Sequence, residues 1–216
     1  MADMTPKTWE FINEYSREVF GDEDEHLAGL MDEAIAAGLP AIAVGPDVGR
    51  LLMILTSMTR GRLAIEVGTL AGYSGIWITR GLAPDGRLIT IEYEARHADF
   101  AQRQFKRAGI EERVELRHGA GLDVLADLSR ELEPGSVDVL FMDAHKPEYI
   151  AYFETARPLL AVGGLVIVDN VYGIGTGWID QGYGTDDFNR HIAADPDFEA
   201  AAFPFREGVL IARRFS

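Results

Sequence analysis

Cysteine is absent from this 216-residue sequence, which removes disulfides, zinc–thiolate sites and thiol nucleophiles together. Positive charge is scarce: 20 lysines and arginines against 35 acidic residues leave a formal net charge of −15. No phosphate backbone is drawn to such a field, so nucleic acid is excluded as the main partner. A cationic ligand or a divalent metal suits the field, whereas a strongly anionic substrate needs a local basic patch to override it. No apolar run approaches the ~18–20 residues of a membrane span, and Met1–Glu10 lacks a charged-then-apolar secretion pattern. The expectation is a soluble, cytoplasmic protein with no membrane partner. Repeats, low-complexity tails and linkers are missing as well, so residues 1–216 read as a single domain. The G-x-G-x-x-G dinucleotide fingerprint is also lacking; its place is taken by glycines at Gly68, Gly72 and Gly75.

A hydrophobic content of 47% supplies a full core for one ordinary α/β domain. Residues 1–60 form a helical N-terminal part. Leu27, Leu30, Met31, Ala34 and Ile35 keep helical spacing ahead of Gly38, and Val48, Leu51, Leu52, Leu55 and Met58 keep it after Pro46. These helices carry no polar triad and serve packing, a substrate wall or a dimer face. From 61 to 216 the pattern alternates. Strands are expected at Leu63–Val67, Arg87–Glu92, Arg113–Arg117, Val137–Met142 and Leu165–Val168. Between them stand helices at Tyr73–Leu82, Ala95–Ala108, Leu122–Leu132 and Pro147–Leu160. That alternation predicts an α/β, doubly wound, mostly parallel sheet with helices on both faces. After Asn170 the rhythm fails. Residues 171–184 hold five glycines with Tyr172, Trp178 and Tyr183, which reads as an aromatic-lined lid or as surface aromatics. A helix at Asp186–Ala194 and strands near Phe198–Phe203 and Val209–Arg213 complete the chain.

Ligands of an open parallel sheet bind beyond the carboxyl ends of its strands. Those ends carry Glu66-Val67-Gly68, Glu92, Gly119-Ala120-Gly121, Asp143 and Asp169-Asn170. The run Leu63 to Ser74 passes from strand through a glycine turn into a helix, the arrangement that offers free N–H groups and a positive dipole end to a ligand. Glu92 follows Gly68 at roughly the ~20-residue interval of an acid that accepts hydrogen bonds from ribose hydroxyls. If the strands ending in Asp143 and in Asp169-Asn170 are neighbours, three hard oxygen ligands converge on one point. That set suits Mg2+, Mn2+ or Ca2+.

The segments Glu66-Val-Gly-Thr-Leu-Ala-Gly-Tyr-Ser74, Ile-Thr-Ile-Glu92, His-Gly-Ala-Gly-Leu-Asp123, Phe-Met-Asp143-Ala-His-Lys146-Pro-Glu-Tyr149 and Val-Asp169-Asn170-Val together resemble the cation-dependent O-methyltransferases. That group includes catechol O-methyltransferase and the caffeoyl-CoA O-methyltransferase-like enzymes. The resemblance covers roughly residues 40–214. It implies a Rossmann-like methyltransferase with a seven-stranded sheet whose last strand, here Val209–Arg213, runs antiparallel. It also implies S-adenosylmethionine as cofactor. Glu66, Gly68, Tyr73 and Ser74 would line its methionine part, Glu92 its ribose, and Gly119 with Ala120 its adenine. Asp143, Asp169 and Asn170 would hold a divalent cation, Mg2+ first, with Lys146 as general base. Asp143 and Lys146 thereby become the candidate catalytic pair, and Asp143 also borders the cofactor. The sequence departs from the family at Gly121-Leu122, so adenine recognition rests on backbone and packing there, and at His145, so the relatives' substrate contacts do not transfer.

The implied reaction is methyl transfer to a vicinal diol, a catechol-like aromatic, with a homodimer expected by analogy. A phenolate attacking a sulfonium consumes both charges, so a dry pocket favours the step. Three alternatives stay open: an acyl-CoA thioester acceptor of the caffeoyl-CoA type, a nicotinamide-dependent oxidoreductase, and a cofactor-binding scaffold without chemistry.

Overall fold

The computed structural model describes residues 5–173 and 185–216. Trp178, Tyr183 and the glycines at 175, 177, 182 and 184 lie outside the described residues, and with them most of the expected lid. Three helices open the chain: α1 (Pro6–Phe20), α2 (Glu25–Ala36) and α3 (Pro46–Thr59). Each start has a local cause. The Thr5 hydroxyl accepts from the Thr8 amide at 3.2 Å, the Asp24 carboxylate accepts from the Leu27 amide at 3.0 Å, and Pro46 opens α3.

Then strand and helix alternate through β1 (Leu63–Val67), α4 (Tyr73–Gly81), β2 (Arg87–Glu92), α5 (Ala95–Arg107), β3 (Val114–His118), α6 (Gly121–Glu131), β4 (Val137–Met142), α7 (Tyr149–Ala156) and β5 (Leu160–Asp169). The chain closes with α8 (Thr185–Ala193), β6 (Phe198–Phe203) and β7 (Val209–Arg214). The seven strands lie in the order β3-β2-β1-β4-β5-β7-β6. All neighbours pair in parallel except β7, which runs antiparallel to both β5 and β6. Strand order therefore reverses between β1 and β4, and a doubly wound sheet opens a ligand crevice at that point.

Side chains along each strand alternate between two cores. Ala64, Leu88, Val139, Phe141 and Ile167 pack against α2, α3, α4 and α5. Ile65, Val67, Ile89, Leu140, Met142, Val166 and Val168 pack against α6, α7 and α8. The period of two comes from the strand itself, and coverage on both faces explains why the strands read as near-continuous apolar runs. Phe105, Phe141, Phe153 and Phe188 are fully buried, each worth about 1.5–3 kcal/mol of transfer.

Two expectations need correction. The helix expected over Pro147–Leu160 is broken into a 3-10 turn at Lys146–Glu148, α7, and a second 3-10 turn at Arg157–Leu159. Pro158 has no N–H to donate back into α7, so the regular helix ends two residues earlier. Strand β5 accordingly begins at Leu160, not Leu165. Gly163, at φ +89°, sits where the pairing with β4 shifts register between Val137 and Val139, so the glycine pair bends the strand instead of preceding it. A smaller change moves β3 to Val114–His118, because Glu111–Arg113 forms a 3-10 turn.

Candidate functional site

At the carboxyl edge, three strands extend their ladders one residue further. Gly68 N–H donates to the Ile91 carbonyl at 3.0 Å, Asp143 N–H to Val67 at 2.9 Å, and Gly119 N–H to Glu92 at 2.9 Å. These bonds splay the loops around a cavity of about 760 Å3, inside the range of small-molecule sites. Gly68 is required at its position. Its φ is +102°, and an added Cβ would press on the Asp143 carbonyl group, 2.8 Å from the carbon. The glycine turn thus lets β1 and β4 approach closely enough to form one wall.

Gly68, Tyr73, Ser74, Glu92, Gly119, Ala120, Asp143, Lys146 and Asn170 all line this cavity. Glu66 and Asp169 do not: Asp169 is buried at the end of β5, and Glu66 lies fully buried behind the wall, where its carboxylate accepts from Ser74 Oγ at 2.5 Å and Thr90 Oγ1 at 2.6 Å. Burial pushes its carboxyl up to about 7, and the negative charges of Asp143 and Glu92 add to the rise. Tyr73, on the first turn of α4, donates its hydroxyl to Glu23 at 2.5 Å, and burial with that carboxylate pushes the phenol upward. Glu92 is caged by backbone: one oxygen accepts from the Thr69 and Leu70 amides at 3.2 and 2.8 Å, the other from Glu94 at 2.9 Å. A carboxylate has about four acceptor sites, so capacity for a hydroxyl partner remains.

Across the cavity, Lys146 Nζ donates to Asp143 Oδ1 at 2.7 Å, and both side chains are largely buried. The Asp-x-x-Lys spacing works because the 3-10 turn at Lys146 folds the amine back onto the strand end. Tyr149, three residues on, donates its hydroxyl to the Asp169 carbonyl at 3.1 Å and ties α7 to the end of β5. Asp169 is almost wholly buried, and burial with the charge of Asp143 pushes its carboxyl upward. Asn170 follows in the left-handed region at φ +59°, a conformation asparagine tolerates. The strands ending in Asp143 and Asp169 are neighbours in the sheet, as the convergence required. Among the described residues no three His, Cys, Asp or Glu gather at one point, so the candidate cation set is two acids and one amide. Lys146 already neutralises Asp143, whereas Asp169 has no ion pair among the described residues; a second acid without a counter-charge and an all-hard-oxygen set fit a divalent ion.

Several lining residues had no signal at the strand ends. His97 of α5 stands with Nδ1 3.6 Å from Glu92, and Ala41–Val44, between α2 and α3, add a further stretch of the lining. Arg206 and Glu207 reach the cavity from the β6–β7 hairpin. Nothing in strand-end reasoning points to a hairpin between antiparallel strands. Among the described residues, lysine and arginine contribute Lys146 and Arg206 to this lining, against five acids: Glu92, Glu94, Asp143, Glu148 and Glu207. That excess suits a cationic sulfonium donor. No described helix is long and apolar enough to cross a membrane.

Residues 15–215 match the sequence profile described as O-methyltransferase. The chain belongs to the O-methyltransferase family. A catechol O-methyltransferase of Niastella koreensis is 40% identical over 168 residues, covering 78% of this chain and 76% of its own length. The O-methyltransferase of Bacillus cereus in complex with SAH superposes with a TM-score of 0.86 at 36% identity, over 96% of this chain and 99% of that one. TomG of Streptomyces achromogenes, in complex with SAM, gives 0.85 at 32% identity, over 99% and 100%. The enzyme is thus an S-adenosylmethionine-dependent O-methyltransferase on a Rossmann-like sheet, which sets aside the nicotinamide reading.

Proposed function

We propose that this O-methyltransferase requires a divalent cation and acts on a catechol-like aromatic. The observation that carries the reading is the Asp143–Lys146 pair beside Asp169 and Asn170 at the end of two adjacent strands. The name of the Niastella koreensis relative supports the same acceptor class. Asp143, Asp169 and Asn170 would hold the cation, with Mg2+ as the expected ion. When bound, it would make a chelated hydroxyl more acidic and fix its oxygen.

The chain's own residues do the rest. Gly68, Tyr73 and Ser74 shape the methionine end of the cofactor site, with Glu66 fixing Ser74 from behind. Glu92 accepts from the ribose, and Gly119 and Ala120 approach the adenine by backbone. Lys146 Nζ, in its neutral form, is the amine on the cavity wall placed to take the acceptor's proton. Burial of Thr69, Ala71, Ser74 and Lys146 lowers the polarity of part of the wall, which favours a charge-consuming transfer over one in bulk solvent.

Lys146→Ala should abolish methylation of a catechol, read by mass spectrometry of the product. S-adenosylhomocysteine should still raise the melting temperature of the variant. Near-wild-type turnover would remove Lys146 from the proton step. We further propose a homodimer. Phe11, Ile12, Tyr15, Val19 and Phe20 leave α1 with large apolar side chains 43–66% exposed, a face suited to a second copy. Light scattering at micromolar concentration should give twice the 23.8 kDa chain mass, and a monomer there would refute it.

A further inference from the structure

Arg206 is unusual on three counts. Its backbone lies at φ +50°, in the left-handed region that costs a long L side chain energy and that glycine occupies freely. The conformation is held by the Arg206 N–H donating to Asn13 Oδ1 at 2.8 Å. Its guanidinium lines the cavity yet makes one hydrogen bond among the described residues, from Nη1 to the Ala43 carbonyl at 3.1 Å. Five N–H donors in a planar fork are mostly unused. Glu207 Oε2 forms a loose ion pair with Nε at 3.7 Å, and that oxygen is buried without a hydrogen-bond partner.

The location is the acceptor side of the site. Just beyond Asp169 and Asn170, Val171 N–H donates to the Gly208 carbonyl at 3.1 Å and Tyr172 N–H to Glu207 at 2.8 Å. Those two bonds lay the Arg206 hairpin alongside the chain leaving the candidate cation ligands. A guanidinium in strained backbone, with one hydrogen bond and one loose ion pair, still has N–H donors to offer an anion in a cavity that otherwise carries five acids. The net charge of −15 repels anions at long range, so a local cation is what an anionic acceptor would need.

We propose that Arg206 pairs with a carboxylate on the methyl acceptor, so that dihydroxyphenyl carboxylates are preferred over neutral catechols; this rests on the catechol reading above. Glu207 competes for the same guanidinium. Binding of 3,4-dihydroxybenzoate and of 4-methylcatechol, measured by calorimetry on the wild-type enzyme loaded with S-adenosylhomocysteine and Mg2+, tests it. The wild type should favour the carboxylate by about ten- to a hundredfold, the range of a charge-assisted hydrogen bond. Arg206→Gln should erase that ratio, Arg206→Lys should keep part of it, and Glu207→Gln should enlarge it. Equal loss of both ligands in Arg206→Gln would mean that the arginine only braces Ala43, and would overturn the proposal. Weakened S-adenosylhomocysteine binding with the acceptor ratio unchanged would reassign the pairing to the cofactor's carboxylate and overturn it too. Selective carboxylate binding without methyl transfer to either compound would leave the anion site standing and defeat the catechol reading instead.

Discussion

Glu66→Gln isolates the electrostatic cost of the acid buried behind the cofactor wall. Burial raises the Glu66 carboxyl from 4.5 to about 7. A carboxyl whose folded value lies above its unfolded value binds its proton more tightly in the folded state. Its contribution to stability is therefore complete below about pH 4.5 and is lost as pH rises through about 7. At about 1.4 kcal/mol for each pKa unit, the whole effect is about 3 kcal/mol, of which roughly 2–3 disappears between pH 5 and pH 9. Glutamine cannot ionise, and like protonated glutamate it asks one of the Ser74 and Thr90 hydroxyls to accept instead of donate. The two proteins should melt within a degree or two of each other at pH 5. By pH 9 the variant should be higher by about 5–10 °C, taking ~2–4 °C per kcal/mol for a chain of this size. Calorimetric melting of the ligand-free proteins at five pH values reads the difference, and titration of Asp169, common to both, largely cancels. An offset that does not change with pH would refute the reasoning.

Gly68→Ala should destabilise the enzyme by about 2–5 kcal/mol, combining a positive φ with overpacking against the Asp143 carbonyl group. Gly109→Ala, at φ +68° with nothing within 4 Å of the new Cβ, should show the backbone cost alone and far less loss of turnover. Comparing melting temperature and turnover of the pair checks both statements. Asp169→Asn removes one of two crowded acids, so the ligand-free variant should melt above wild type while Mg2+ no longer raises its melting temperature. A preserved Mg2+ shift in that variant would take Asp169 out of the cation set.

The sheet was legible because both of its faces are covered, which writes each strand as an apolar run ending in an acid or a glycine. Strand ends then pointed to Gly68, Glu92, Gly119, Asp143 and Asn170, and all of these line one cavity. The strand expected from Leu165 begins at Leu160 with a register shift against β4 inside it, and Pro158 divides what looked like one helix. Glu66 sits at a strand end yet faces the interior, because alternation along β1 turns its side chain toward Ser74 and Thr90. Arg206 and Glu207 were invisible for a different reason. They enter the cavity through pairing between β5 and the β6–β7 hairpin, a long-range register that local pattern does not encode.

The claim on which the account turns is that oxygen ligands from two adjacent strands hold a cation needed for methyl transfer. Turnover of a catechol should fall to background after exhaustive chelation with EDTA and return on adding Mg2+, with Asp143→Ala and Asp169→Ala unresponsive to the metal. Full activity in the chelated wild-type enzyme would contradict it.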